Sequence, residues 1–252
     1  MPIDRVEFLG VEFDILSEHQ VVDRLNLVTA ETPFGYIVTP NVDHVVRLNG
    51  EGSEPALGAA YANADLCVCD SRVLALLARF RRIRLPVVTG SDLTAAMLEN
   101  VLSRGDRVAV VGGSPELVRR LSDRYSHIEF VHHCPPMGLR RDVAAQTAAA
   151  QFITEAKCRF TFLAVGSPQQ ELIAARVTAG TGFGLCIGAA LEFLTGDQVR
   201  APIVLRRTGL EWAYRLASDP RRLWRRYLIE GPQVFLLAWR WRALRAGSGR
   251  RA

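Results

Sequence analysis

The feature that most limits what this chain can fold into is an alternation. Six short apolar runs, rich in β-branched residues, recur at residues 34–40, 64–70, 107–113, 127–133, 159–166 and 182–188. Between and after them lie stretches with helical spacing, at 42–50, 53–64, 71–80, 91–102, 114–125, 142–156 and 167–177. Short buried strands separated by helices predict βαβ units. The fold class is therefore α/β: a Rossmann-like, mostly parallel sheet with helices on both faces. Ser91 is an expected N-cap, and Ser114-Pro115 and Ser167-Pro168 read as cap and first-turn pairs. Ahead of the array, RVEFLGVEFDIL alternates about Gly10 and predicts an N-terminal β-hairpin. After Gly196 no strand pattern remains. Residues 202–245 read as helices punctuated by Pro202, Gly209, Pro220 and Gly231-Pro232. A chain of 252 residues accommodates one large domain and an appendage, which divides it into 1–199, a Rossmann-like unit, and 200–252, a helical appendage.

Charge divides the chain at the same place. Residues 1–199 carry 18 of the 31 Lys and Arg and 23 of the 26 Asp and Glu, a net of −5. Residues 200–252 carry 13 Arg against Glu211, Asp219 and Glu230, a net of +10. A basic tail on an acidic body points to an anionic partner: a membrane, a nucleic acid or a phosphate-bearing substrate. No apolar run reaches the roughly 18 residues a spanning helix needs, and the acidic opening segment does not read as a signal peptide. The five cysteines fall mostly in apolar runs and are expected to be reduced and buried. Cys67 and Cys69 point to one face of a strand, with no second pair to complete a metal site.

Parallel sheets bind ligands at the carboxyl ends of their strands. Four segments deliver polar residues there, and each has two readings. Thr39-Pro40-Asn41 is a hydrogen-bonding edge or a turn with Asn41 as an N-cap. Asp70 is a polar group delivered to the ligand-binding edge or a helix cap. Gly112-Gly113-Ser114 is a phosphate loop or a plain tight turn. Gly166-Ser167-Pro168-Gln169-Gln170-Glu171 opens a helix whose free N–H groups suit phosphate. His132-His133-Cys134 is a weak metal candidate, because neighbours on a strand face opposite ways. No DxD carboxylate pair occurs.

In succession, TPN (39–41), NADLCVCD (63–70), VTGSDL (88–93), VAVVGGSPELV (108–118), VGSPQQE (165–171), IGAALEFLTG (187–196), RAP (200–202) and RTGLEWAYRLASDPRRLWRRYL (207–228) resemble the WecG/TagA/CpsF glycosyltransferases, glycosyltransferase family 26. The resemblance implies an inverting enzyme without a metal or other cofactor. It moves a sugar from a UDP-sugar to a polyprenyl-diphosphate-linked acceptor, in envelope polysaccharide or teichoic-acid synthesis. It further implies Asp70 as the base, Thr39, Asn41, Gln170 and Glu171 around the substrate, and Arg200, Arg207 and Arg215 reaching over the pocket from the appendage. Gly112 and Gly113 are carried as substrate-binding backbone. The pattern departs at Ser71-Arg72-Val73, where the family has Gly-x-Gly after the Asp. It departs again at Val87 for an Arg, at Glu192 for an Asp, and at HHCPPMG (132–138). Arg72 is expected to supply the cation that Val87 lacks.

The tail sets Trp239 and Trp241 among Arg240 and Arg242, the composition of an interfacial helix. With Arg222 and Arg226 these residues are expected to touch an anionic membrane. The implied location is cytoplasmic, peripheral on the inner face of the cell membrane, with homo-oligomers allowed. Nucleic acid is not expected as a partner, since the body adds no basic stripe. Two other functions compete: a degenerate nucleotide-binding scaffold of the same family, and a dinucleotide-dependent oxidoreductase. The latter lacks a complete GxGxxG with its acidic partner.

Overall fold

The computed structural model describes residues 3–50, 52–197 and 201–248, with the side chains of residues 203, 206, 207, 222 and 242–248 outside that description. Strands β1 (Arg5–Phe8) and β2 (Val11–Asp14) form the antiparallel hairpin. Leu9 and Gly10 both take positive φ at its tip, the geometry whose twist matches the flanking strands. Helix α1 (Glu18–Asn26) follows, and the strand-and-helix pattern above did not include it. Its local signal is a capping box. Ser17 accepts from the Gln20 N–H, and the Gln20 side chain accepts from the Ser17 N–H at 2.8 Å.

All six apolar runs become strands, with helices between them. In order they are β3 (Gly35–Val38), α2 (Val42–Leu48), α3 (Pro55–Ala62), β4 (Leu66–Cys67), α4 (Arg72–Arg79), α5 (Gly90–Ala96), β5 (Arg107–Gly112), α6 (Pro115–Arg124), β6 (Glu129–His133), α7 (Val143–Ala156), β7 (Phe160–Ala164), α8 (Gln169–Ala174), β8 (Phe183–Cys186) and α9 (Ala190–Leu194). The strands lie in the order β4-β3-β8-β7-β5-β6, and every neighbouring pair is parallel. Period-two alternation splits their side chains between two cores. Tyr36, Val38, Cys67, Cys69, Leu163 and Cys186 face α2, α3, α7 and α8. Ile37, Leu66, Val68, Phe160, Phe162 and Leu185 face α1, α5 and α6. The sheet is thus covered on both sides, as a parallel sheet requires.

Local capping differs from expectation in two places. Helix α5 starts at Gly90 with Thr89 as its cap, not Ser91, because the Thr89 hydroxyl accepts from the Asp92 N–H at 3.0 Å. Helix α8 has no side-chain cap, because Ser167 accepts from Arg47 at 3.1 Å instead. Ser114 caps α6 as expected. Cys134 is exposed, contrary to the expectation of burial, while the other four cysteines are buried.

The appendage is helical: α10 (Ile203–Thr208), α11 (Glu211–Ser218), α12 (Pro220–Trp224), a π-helical turn at Arg225–Glu230, and α13 (Gln233–Ser248). It does not stand clear of the body. Val234 and Ala238 of α13 are buried in the same core as Phe8 and Val45. Trp241 meets Phe8 edge to face at 5.3 Å and donates to Glu7 at 3.0 Å.

The hairpin closes one edge of the sheet through Asp14, which is 2% exposed. Its carboxylate accepts from the Cys67 N–H of edge strand β4 at 2.7 Å and pairs with Arg5 at 2.7 Å. Removing the acceptor orphans a buried N–H, so Asp14→Ala is expected to cost about 1–3 kcal/mol, read as a lower urea midpoint. A midpoint equal to that of the wild type would show that the hairpin does not secure this edge.

Candidate active site

The carboxyl end of the sheet carries a cavity of about 410 Å³, within the size range of small-ligand sites. The body makes its floor and the appendage its roof. From the body come Asn41 and Asp43 after β3, Asp70, Ser71 and Arg72 after β4, and Thr89 and Asp92 at the start of α5. From the appendage come Trp212 and Arg215 on α11, Arg226 and Tyr227 on the π turn, and Phe235 on α13.

Asp70 lines this cavity and belongs to no ion pair among the described residues. Ser71 caps α4, accepting from the Leu74 N–H at 3.2 Å, so Asp70 is not that helix's cap. Its own contact is the Gly90 N–H at 3.3 Å, at the first turn of α5. The surrounding protein displaces water and pushes its pKa up to about 7, against the Gly90 hydrogen bond and the Arg215 charge, which pull it down. Glu211 and Asp92 add to the rise. Arg215 answers from above, held by Glu211 at 3.0 Å and lying over the Phe193 ring at 5.0 Å. The other carboxylates are engaged. Asp43 takes Arg47 at 2.8 Å and Arg226 at 3.5 Å, Glu211 takes Arg215, and Asp92 accepts from the Thr89 hydroxyl at 2.7 Å. Trp212 and Tyr227, with ring centroids 6.2 Å apart, make an aromatic wall.

The expected site residues divide into those that reach the cavity and those that do not. Asp70, Asn41, Arg72 and Arg215 line it. Asn41 is also the N-cap of α2. Thr39 is buried, donating to the Cys186 carbonyl at 3.1 Å. Gln170 is turned into the protein, where its side chain accepts from the Gly188 N–H at 2.9 Å and donates to Glu171 at 2.9 Å. Glu171 is fully buried and also accepts from Tyr61 at 3.3 Å. None of these three is among the residues that line the cavity.

Gly112 and Gly113 are not among the lining residues. Strand β5 lies four positions from β4, about 19 Å at the usual strand spacing. Gly112 is needed for packing: at φ 95°, a Cβ there would come within 2.8 Å of the Ala164 carbonyl. His132 contacts the Gly112 carbonyl at 3.0 Å while His133 stacks on Phe152, so the two point apart. Among the described residues no three His, Cys, Asp or Glu gather as a metal site.

Arg200 lies outside the described residues, as do the side chains of Arg207, Arg222 and Arg242. Two residues expected at the membrane have partners within the protein. Arg226 turns inward to Asp43 and the cavity, drawn by a half-buried carboxylate. Trp241 docks on the hairpin, where Phe8 and Glu7 satisfy both its ring and its N–H. Trp239 and Arg240 remain exposed. Sequence reading gave no role to Asp43, Thr89, Asp92, Trp212 or Tyr227. Thr89, Asp92, Trp212 and Tyr227 lie inside quoted motifs, so their positions were available as a signal.

The raised pKa has a sign that can be tested. The folded protein keeps the Asp70 proton up to about pH 7, whereas the unfolded chain loses it near 3.8. Stability is therefore lost as pH rises between those values and stays lower above them. Asp70→Asn carries no such penalty. Its melting temperature is expected to exceed that of the wild type more at about pH 8 than at about pH 5, by calorimetry. A pH-independent difference would contradict a desolvated carboxyl. A family model described as Glycosyl transferase WecG/TagA/CpsF family matches residues 6–248.

Proposed function

Since the chain belongs to the WecG/TagA/CpsF family of glycosyltransferases, we propose that it transfers a sugar, with inversion, from a UDP-sugar to a polyprenyl-diphosphate-linked acceptor in bacterial envelope polysaccharide or teichoic-acid synthesis. The observation that carries the reading is the Asp70 carboxyl, in no ion pair among the described residues, on a cavity roofed by arginines. A general base works best when its pKa lies near the working pH, because it is then both charged and basic enough to accept a proton. In the proposed step an acceptor hydroxyl oxygen attacks the anomeric carbon and gives its proton to Asp70. The bond from that carbon to the diphosphate oxygen breaks, and its electron pair leaves with UDP.

The leaving diphosphate gains negative charge as this happens. Arg215 and Arg226 face the cavity from the appendage and Arg72 from the body, so fixed guanidinium groups stand ready for it. The carboxylates that would otherwise gather a divalent ion are occupied by Arg47, Arg226, Arg215 and Thr89. This supports a metal-independent reaction. Val87 and Arg72 line the same cavity, which supports Arg72 as the replacement for the cation missing at Val87. Trp212 and Tyr227 offer the uracil ring a stacking wall.

The appendage supports peripheral docking on the inner face of the membrane. Trp224, Leu228, Ile229, Phe235, Leu236 and Trp239 are all exposed, beside exposed Arg221, Arg225 and Arg240. Among the described residues no helix is long and apolar enough to cross a membrane. Exposed apolar rings with flanking arginines suit the headgroup layer.

Two experiments test the proposal. In a UDP-release assay with lipid-linked acceptor, Asp70→Asn is expected to lower kcat about 100- to 10,000-fold. Wild-type kcat/KM should rise with pH through an apparent pKa near 7, and Arg72→Ala should raise the donor KM. Full turnover by Asp70→Asn would remove the carboxylate from the chemistry. In flotation with vesicles containing phosphatidylglycerol, Trp239→Ala with Arg240→Ala is expected to leave more protein unbound. Equal flotation would place the docking surface elsewhere.

A further inference from the structure

A second cleft, of about 660 Å³, adjoins the first. One wall is α4, the other is the returning segment 82–87, and Thr208-Gly209 of the appendage closes an end. Arg72, Val73, Val87 and Gly209 line both spaces. The partition between them is thus one side chain thick, and Arg72 belongs to it.

The lining has an unusual composition. Arg72, Arg79, Arg82 and Arg84 all line it, and no carboxylate does. Among the described residues none of these four arginines forms an ion pair, whereas Arg5, Arg47, Arg107, Arg119, Arg120 and Arg159 of the body do. Leaving four guanidinium groups together without a counter-charge raises their mutual repulsion, which a bound anion would relieve. Arg82 takes φ 62°, a conformation that residues with a side chain rarely adopt. The remaining wall is apolar, with Val73, Leu76, Ile83, Leu85 and Val87. Leu76 is exposed on α4. Arg81 next to the cleft donates to the Ala238 carbonyl of α13 at 3.1 Å, so this side of the body adjoins the helix that carries the exposed Trp239.

A ligand matching this cleft has to be doubly or triply anionic at one end and hydrocarbon at the other. It also has to reach the Asp70 cavity past Arg72. We propose that the cleft between α4 and residues 82–87 holds the diphosphate and the first isoprene units of the lipid-linked acceptor, leaving the acceptor sugar in the neighbouring cavity. This rests on the acceptor class proposed above and adds where its lipid diphosphate sits. The donor and acceptor diphosphates then have separate cations: Arg215 and Arg226 for the donor, and Arg79, Arg82 and Arg84 for the acceptor, with Arg72 between them. An anionic phospholipid headgroup shares the same chemistry, and the experiment separates the two.

The full-length protein is titrated with farnesyl diphosphate, and separately with farnesol, inorganic diphosphate and UDP. Wild type is compared with Arg79→Ala/Arg84→Ala and with Arg79→Lys/Arg84→Lys, both pairs being exposed surface positions. Farnesyl diphosphate is expected to bind more tightly than either farnesol or inorganic diphosphate. The alanine pair should weaken it by about tenfold or more, the lysine pair should weaken it less, and UDP affinity should stay within about twofold. Unchanged farnesyl diphosphate affinity in the alanine pair overturns the proposal. So does a loss of phosphatidylglycerol-vesicle binding with farnesyl diphosphate affinity kept, which would make the cleft a headgroup patch. If UDP fails to bind while the farnesyl diphosphate pattern holds, the cleft assignment stands and the donor reading falls.

Discussion

A partly buried carboxyl group at the end of a short strand is the constraint around which this molecule is arranged. Asp70 follows β4, the edge strand of the sheet, and one backbone N–H from α5 steadies it. Dry surroundings raise its proton affinity, while Arg215 overhead limits the rise. Neither influence is local in the chain. Gly90 is twenty residues on, and Arg215 belongs to a helix that arrives only after the sheet is complete. The poise of this group near neutrality is therefore a product of the whole fold.

The same holds for the charges around it. Arginines outnumber their needs in the appendage, and the fold uses acidic residues of the body to place them. Asp43 draws Arg226 inward, together with Arg47, and Glu211 pins Arg215 from one turn away. Such pairs contribute little to stability at a surface. Their effect here is directional: each fixes a guanidinium group against the cavity that a flexible side chain would otherwise leave for solvent. In α4 and the segment after it, the opposite arrangement holds. Four arginines converge on a cleft without an acidic partner, and the charge is left available to a ligand.

Much of this was legible beforehand. The sheet was, because six apolar runs of seven or eight residues cannot be buried on both faces except under helices. The hairpin was, because Leu9-Gly10 divides two alternating strands. Helix α1 was missed for want of a long apolar face, although Ser17 and Gln20 spell its cap. Ser91 was expected as the cap of α5 from its residue type, whereas the cap is decided by which hydroxyl reaches the third N–H, and that is Thr89. Gln170 and Thr39 were expected around the substrate because their motifs resemble the family's. Tertiary packing turned them toward Gly188 and Cys186.

Sequence alone determined the class of fold, the position of the one carboxylate that ends an otherwise apolar strand, and the concentration of positive charge in the last fifth of the chain. These follow from periodicity and composition, which act over a few residues. Only the tertiary structure decided which polar residues share a space. It put Gly112 and Gly113 four strands away from Asp70, folded α13 onto the hairpin so that Trp241 is covered while Trp239 is not, and brought residues 72–87 alongside Gly209 to enclose a second cleft. Strand order and helix docking set those distances, and both depend on contacts between segments far apart in the chain.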